Sequence, residues 1–264
     1  MKLSTPAKIL LWTIMGFGLA FIYVPLILVV INSFNTNTSF AWPPTGFTTS
    51  WWSKAAVNEG IRDAVSRSLL VATVATLIAL VLGSLAAAAI ARYKFFGRDV
   101  ISLLFVLPIA LPGIVTGIAL NNVFANFLGE LTIFTIIVGH ATFCIVVVFN
   151  NVAARYRRMG ASLEEASMDL GANRVTTFRL VTFPLLRNAL IAGGLLAFGL
   201  SFDEIIVTTF TAGAGQNTLP IWIFQNLFRP NQAPIVNVVA AALVIISIVP
   251  IYLSQRLTQE KSDK

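Results

Sequence analysis

The sequence predicts an all-α polytopic membrane protein with six transmembrane helices, and three observations carry that expectation. Of its 264 residues, 57% are hydrophobic and 11% charged, with mean hydropathy +0.84. A soluble domain carries roughly 25% charged residues. Six apolar runs approach the roughly 20 residues that cross a hydrocarbon core: Ile9–Ile31, Leu69–Ile90, Ile101–Phe124, Ile133–Val152, Leu190–Phe210 and Val236–Leu253. The cations are also unevenly placed. With the N-terminus in the cytoplasm, that side holds Lys2, Lys8, Arg92, Lys94, Arg98, Arg155, Arg157, Arg158, Arg174, Arg179, Arg187, Arg256, Lys261 and Lys264. The outer side holds Lys54, Arg62, Arg67 and Arg229, so the 18 cations divide 14 to 4. Both termini are therefore expected in the cytoplasm, with the chain forming one transmembrane domain over 1–264.

The same features exclude several classes. A net charge of +7 might suggest nucleic acid, but the cations flank apolar spans instead of clustering on one surface. The single Cys144 rules out a disulfide within the chain and a cysteine metal cluster. It reads as a small buried hydrophobe. No Gly-x-x-x-x-Gly-Lys-Ser/Thr, Gly-x-Ser-x-Gly or His-Glu-x-x-His run is present. No catalytic residue, metal or cofactor is therefore expected in this chain. The absence of an evident internal repeat argues against an inverted-repeat secondary transporter.

Each span has its own reading. The first follows Lys2 and Lys8 and lacks a small-x-small cleavage site after Ile31, so it is expected to be a retained helix. Trp42, Trp51 and Trp52 beyond it fit an interfacial belt or contact with an external partner. Glu59–Arg67 reads as a short amphipathic helix leading into the second span. There Gly83, Ala87 and Ala91 fall four apart, a stripe that lets helices approach closely in lipid. In the third span Pro108 and Pro112 share a face and should kink the helix and free backbone carbonyls, lining a pathway or simply bending around neighbours. Asn121 and Asn122 near its end suit a pathway or the interface. His140 in the fourth span is expected to hydrogen-bond a neighbouring helix, since no second ligand for a metal lies near it.

The fifth span contains Phe202, Asp203 and Glu204. Two adjacent acids in an apolar run are costly and need a cavity or a partner. They read as an anionic site for a cationic solute, a bond to a partner subunit, or acids at the headgroup level. Beyond it, Leu219–Phe228 is a short amphipathic stretch whose Trp222, Phe224 and Phe228 suit an interfacial anchor or a docking surface.

The longest polar interval, about 153–189, lies between the fourth and fifth spans. Glu164-Glu165-Ala166-Ser167-Met168-Asp169-Leu170-Gly171 predicts a helix ended by a left-handed glycine. A second short helix follows, with Pro184 as its stop. The spacing is Glu-Ala-Ser, three residues, Gly171, nine residues, then Val181-x-Phe183-Pro184. It resembles the cytoplasmic "EAA" loop of ABC importer permeases, with mild departures at Ser167, Val181 and Phe183. Leu107–Gly117 and Leu200–Phe210 are similar to the third and fifth spans of polyamine-type permeases. The chain therefore looks like a type I ABC importer permease, within the PotC/YdcV-like branch of spermidine/putrescine permeases.

That resemblance implies a second homologous permease, two cytoplasmic ABC ATPases that use the ATP, and a periplasmic or extracellular substrate-binding protein, in a bacterial inner membrane. It implies ATPase coupling through Glu164, Glu165, Ala166, Gly171 and Pro184, and a solute pathway past Asp203, Glu204, Phe202, Pro108 and Pro112. Asp203 is favoured because the family pattern puts its acid there. Another solute (an amino acid, 4-aminobutyrate, iron or sulfate) stays open, as does a secondary transporter.

Overall fold

The computed structural model describes residues 4–39, 42–229 and 231–259, and the side chains of these except 106–110 and 247–259. Lys2, Lys261 and Lys264 lie outside the described residues, and the Arg256 side chain is not described. The described residues form twelve α-helices and no strand. Their order is α1 (Thr5–Asn32), α2 (Ser50–Ala56), α3 (Glu59–Arg92), α4 (Arg98–Ala110), α5 (Gly113–Phe127), α6 (Ile133–Met159), α7 (Ser162–Asp169), α8 (Arg174–Thr177), α9 (Phe183–Phe202), α10 (Ile206–Thr211), α11 (Leu219–Leu227) and α12 (Ala233–Gln259). Four helical runs are long and apolar enough to cross a membrane: α1, α3, α6 and the Arg174–Phe202 run. The α4–α5 pair and α12 supply the other two apolar segments.

The chain divides into two compact units, one of residues up to Arg62 with those from Ile223 onward, the other Asp63–Trp222. In the first, α12 packs on α1 and α2. Asn32, Ser33 and Asn35 are buried where α1 ends. Trp51 Nε1 donates to the Asn35 carbonyl at 3.0 Å, and Trp52 stacks on Phe34 at 5.3 Å. Both tryptophans are thus turned into their own segment, whereas Trp42 is exposed.

The second unit is built around α6. Its Cys144, Val148, Phe149, Val152 and Tyr156 form a buried cluster with Ala79 and Ala87 of α3 and Leu186 and Ala197 of α9. Cys144 is a small core residue whose thiol points at the Ala197 carbonyl, 3.4 Å away. The expected small-residue stripe is the α3 contact: a Cβ on Gly83 would stand 2.8 Å from the Ile145 carbonyl oxygen. Gly193 and Gly194 let α9 close in the same way on α6 and on Leu80 of α3. In lipid such close backbone approach replaces the hydrophobic driving force that water would provide. Arg67 Nη1 bonds the Gly215 carbonyl at 2.7 Å, and Ser68 Oγ accepts from the Leu219 amide at 2.8 Å, tying the segment before α11 to α3. Trp222 is buried there, so it is no surface anchor, while Phe224 and Phe228 are exposed.

Several expectations about helix ends need correction. Glu59–Arg67 is no separate helix, because α3 runs unbroken for 34 residues. No glycine or proline lies between Ile61 and Leu82 to interrupt it. The third span is two helices. Pro112 stands between them in an extended conformation (φ −56°, ψ 133°). It lacks an N–H and disfavours helix at the residue before it, so the break falls at Leu111-Pro112. Pro184 is no stop. It occupies the first turn of α9, where a missing N–H needs no partner. A π-turn over Phe178–Thr182 precedes it, with the Phe183 amide reaching back five residues to the Phe178 carbonyl. The Arg174–Phe202 run is therefore one helical stretch of 29 residues.

Gly83→Leu is predicted to force α3 from α6 at a cost of about 1–3 kcal/mol, as overpacking does. Gly16→Leu, at a site with nothing within 4 Å of a Cβ, should be neutral. Thermal unfolding of the two detergent-solubilised variants would compare them; equal melting temperatures would remove the close-approach argument.

Candidate functional site

The polar loop builds its shape from local signals. Gly160 (φ +69°) ends α6 and Gly171 (φ +86°) follows α7. The Gly171 amide bonds the Met168 carbonyl at 2.9 Å. Asn173 then caps α8, its side-chain oxygen accepting from the Thr176 amide at 2.9 Å. Ser167 and Thr177 hydroxyls meet at 3.1 Å, joining the two short helices face to face.

Glu164 and Glu165 separate sharply. Glu164 turns inward: its Oε2 lies 2.7 Å from Arg92 Nε, and its Oε1 accepts from Thr182 Oγ1 at 2.8 Å. Arg92 also donates from Nη2 to the Gly160 carbonyl at 2.6 Å and sits 4.9 Å over the Tyr156 ring. Only 19% of the Arg92 and 14% of the Glu164 side chain is exposed, so this pair is screened less than a surface one. It fastens α7 to the last turn of α3, the end of α6 and the start of the next span. A cleft of about 370 Å³ lies beside it, lined in part by Arg92, Tyr156, Glu164, Glu165 and Arg174. Glu165 and Ala166 face outward. So do Leu170, 90% exposed, and Val175, 76% exposed, and no part of the described chain covers them.

The acids of the fifth span do not sit on the single Leu190–Phe210 helix that the sequence predicts. α9 ends at Phe202 and α10 starts at Ile206, so Asp203 and Glu204 occupy a three-residue break. Glu204 is committed locally: its Oε1 accepts from the Val207 amide at 2.8 Å and caps α10. Asp203 is exposed. Phe202 is half-buried and stacks on Phe198 at 6.0 Å. The far end of α10 is closed from other helices. Asn121 Nδ2 donates to the Phe210 carbonyl and Thr135 Oγ1 to the Thr211 carbonyl, each at 2.7 Å. Asn121 is thus a cap on α10. His140 is buried and bonds Ser201 and Thr208, the neighbouring-helix role expected of it.

The two breaks adjoin. A Cβ on Gly113, next to Pro112, would stand 3.6 Å from Cγ2 of Ile206. A Cβ on Gly117 would collide with Phe210 at 2.7 Å. The segment of the third span after its break therefore packs on the segment of the fifth span after its own, α5 on α10. Pro108 belongs to α4, but its side chain lies outside the described residues. Sequence reasoning missed Arg92 and Thr182 as partners of Glu164. Arg92 is 72 residues away in sequence, and no spacing rule links them.

Long apolar helices, two of the spans broken, with a glycine-hinged polar helix pair between two of them, make a multi-pass helical membrane fold. The fold supports that class. The chain matches the crystal structure of a bacterial ABC transporter involved in the import of the acidic polysaccharide alginate, with TM-score 0.75 and 17% identity, covering 98% of this chain and 99% of that one. Residues 79–262 match the family described as binding-protein-dependent transport system inner membrane component. The chain belongs to that family and is a multi-pass inner-membrane transport permease subunit. It is 32% identical over 244 residues to the spermidine/putrescine transport system permease protein PotC of Escherichia coli K12, covering 92% of this chain and 91% of the relative. It is 31% identical over 255 residues to the putrescine transport system permease protein PotI of the same strain, covering 92% and 90%.

Glu164→Ala is predicted to loosen α7, raising its amide exchange roughly tenfold for the loss of the ion pair with Arg92 and the Thr182 hydrogen bond to the carboxylate, together about 1.5 kcal/mol. Exchange in α6 should be unchanged. Hydrogen-exchange mass spectrometry on the purified chain reads both, and unchanged exchange in α7 would deny the pair its fastening role.

Proposed function

We propose that this chain is one permease of an ATP-driven importer for a small cationic solute of the polyamine class, putrescine or spermidine. The carrying observation is an acidic break in the fifth span of a chain that resembles polyamine permeases along nine-tenths of its length. A di- or tri-cation loses hydration on entering a low-dielectric cavity, and a carboxylate there offsets part of that cost. Asp203 is the free member of the pair, because Glu204 already holds the α10 amide. Phe202 directly precedes it, and we place the Pro112 break, whose neighbour Gly113 lies against Ile206, on the same pathway.

The ATP is used elsewhere. We assign the α7–α8 pair as the cytoplasmic coupling element, which seats against one of two ATPase subunits, with a homologous permease beside this chain and a binding protein outside. Both termini then lie in the cytoplasm and residues 1–264 act as one permease domain. The outward Glu165, Ala166, Leu170 and Val175 form the contact. Glu164 works from behind, holding the pair to the spans so that a push on the loop moves them as a rigid body. Gly171 gives the turn its left-handed residue, which any side chain would strain by about 1–2 kcal/mol. Pro184 begins the span that follows.

The test is uptake of labelled putrescine and spermidine into vesicles carrying the whole complex, with ATP inside and the binding protein outside. ATP-dependent uptake blocked only by polyamines is expected. Block by amino acids or anions instead would keep the importer and discard the cationic solute; uptake without ATP would discard the importer. Asp203→Asn should raise the apparent KM for polyamine about tenfold, the loss of one charge contact at about 1.4 kcal/mol. Gly171→Leu should abolish uptake while the permease still reaches the membrane at normal abundance. Wild-type uptake by either variant would remove that residue from the scheme.

A further inference from the structure

His140 has no part in the transport step proposed above, yet both its ring nitrogens are used. It lies on α6 with 0% exposure. Nδ1 is 2.7 Å from Ser201 Oγ, in α9 just before the break. Nε2 is 2.8 Å from Thr208 Oγ1, in α10 just after it. Each ring nitrogen pairs with one hydroxyl, and Thr208 Oγ1 also lies 2.9 Å from the Glu204 carbonyl oxygen. One planar ring of fixed width thus bridges two residues seven apart, with Asp203 and Glu204 between them.

A break of three residues has several free backbone dihedrals, and the direction of the Asp203 side chain depends on all of them. Glu204 caps only the α10 side. The ring adds a tie to both sides from a helix that is itself packed in the core. We propose that His140 is a positioning residue for the acidic break: its bridge from Ser201 to Thr208 sets how α9 meets α10, and so where the Asp203 carboxylate stands. This rests on the importer reading only for its solute measurement. A charged contact misplaced by about 1 Å loses much of its effect.

Thr208 gives the cleanest test, because Val keeps its shape without the hydroxyl and Ser keeps the hydroxyl. In the complete complex in vesicles, Thr208→Val is expected to raise the apparent KM for putrescine about tenfold with maximal uptake per permease little changed. Thr208→Ser should stay near wild type. A residue that only stabilises the fold would lower abundance and maximal uptake and leave KM alone, and that pattern would overturn the proposal. Should Thr208→Val not reach the membrane, Ser201→Ala removes the other bond and carries the same expectation.

A second measurement needs no solute. In an Asp203→Cys background, where Cys144 is buried, the rate of labelling by a charged thiol reagent reports where position 203 stands. Adding Thr208→Val should change that rate severalfold, and adding Thr208→Ser should not. If the wild-type complex imports no polyamine, the functional reading fails by itself and labelling decides the positioning claim alone. Equal labelling rates in the three backgrounds would overturn it.

Discussion

A helix interrupted inside hydrocarbon leaves amides and carbonyls that no water reaches, and each unmet group costs several kcal/mol. The second unit of this chain is arranged around meeting that demand. The α10 segment is six residues long and supplies few backbone bonds of its own. Its opening amide is met by Glu204, and its closing carbonyls by Asn121 and Thr135. Asn121 stands on α5 and Thr135 on α6, so the partners come from other elements. Remove them, and a broken fifth span has no reason to persist.

The same demand explains why one acid of the pair is free and the other is not. Adjacent carboxylates on an unbroken helix would have split about 100° apart, with neither bound to backbone. At a break, one can turn back on the following amides, as a capping residue does. Glu204 takes that place. Asp203 is left exposed at the gap, on the fifth span whose α10 packs against α5. Irregular backbone at membrane depth is tolerated where it lines a cavity or is buried in protein.

The helix α6 touches both places that matter. His140 brackets the acidic break, and 16 residues later, about 24 Å along a helix, Tyr156 lies under Arg92. Its neighbour Arg155 holds the Leu185 carbonyl at 2.8 Å. Core packing through Cys144, Val148 and Val152 holds the length between them. The loop end is fastened by an ion pair, Glu164 with Arg92, and the acidic end by the hydrogen bonds of buried His140 to Ser201 and Thr208. Each fastening suits its surroundings, since a charged pair tolerates partial exposure and a buried one demands full satisfaction.

Sequence alone determined the class and the family. Apolar run length and cation placement need no tertiary contact to be read, because bilayer thickness and charge cost act on each segment separately. The Gly171 turn and the Gly83–Ala87 stripe were legible for a similar reason: left-handed backbone and close helix approach each demand a particular small residue. Helix interruption was half legible. The break at Pro112 announces itself by chemistry. The break at Asp203 does not, since nothing local forbids helix there and the interruption persists through His140, Asn121 and Thr135 on other elements. Only the tertiary structure decided that Glu164 faces in and Glu165 out, that Pro184 starts a helix and stops none, and that the two broken spans adjoin. Those outcomes rest on contacts between residues tens of positions apart, for which hydrophobic periodicity and spacing carry no information.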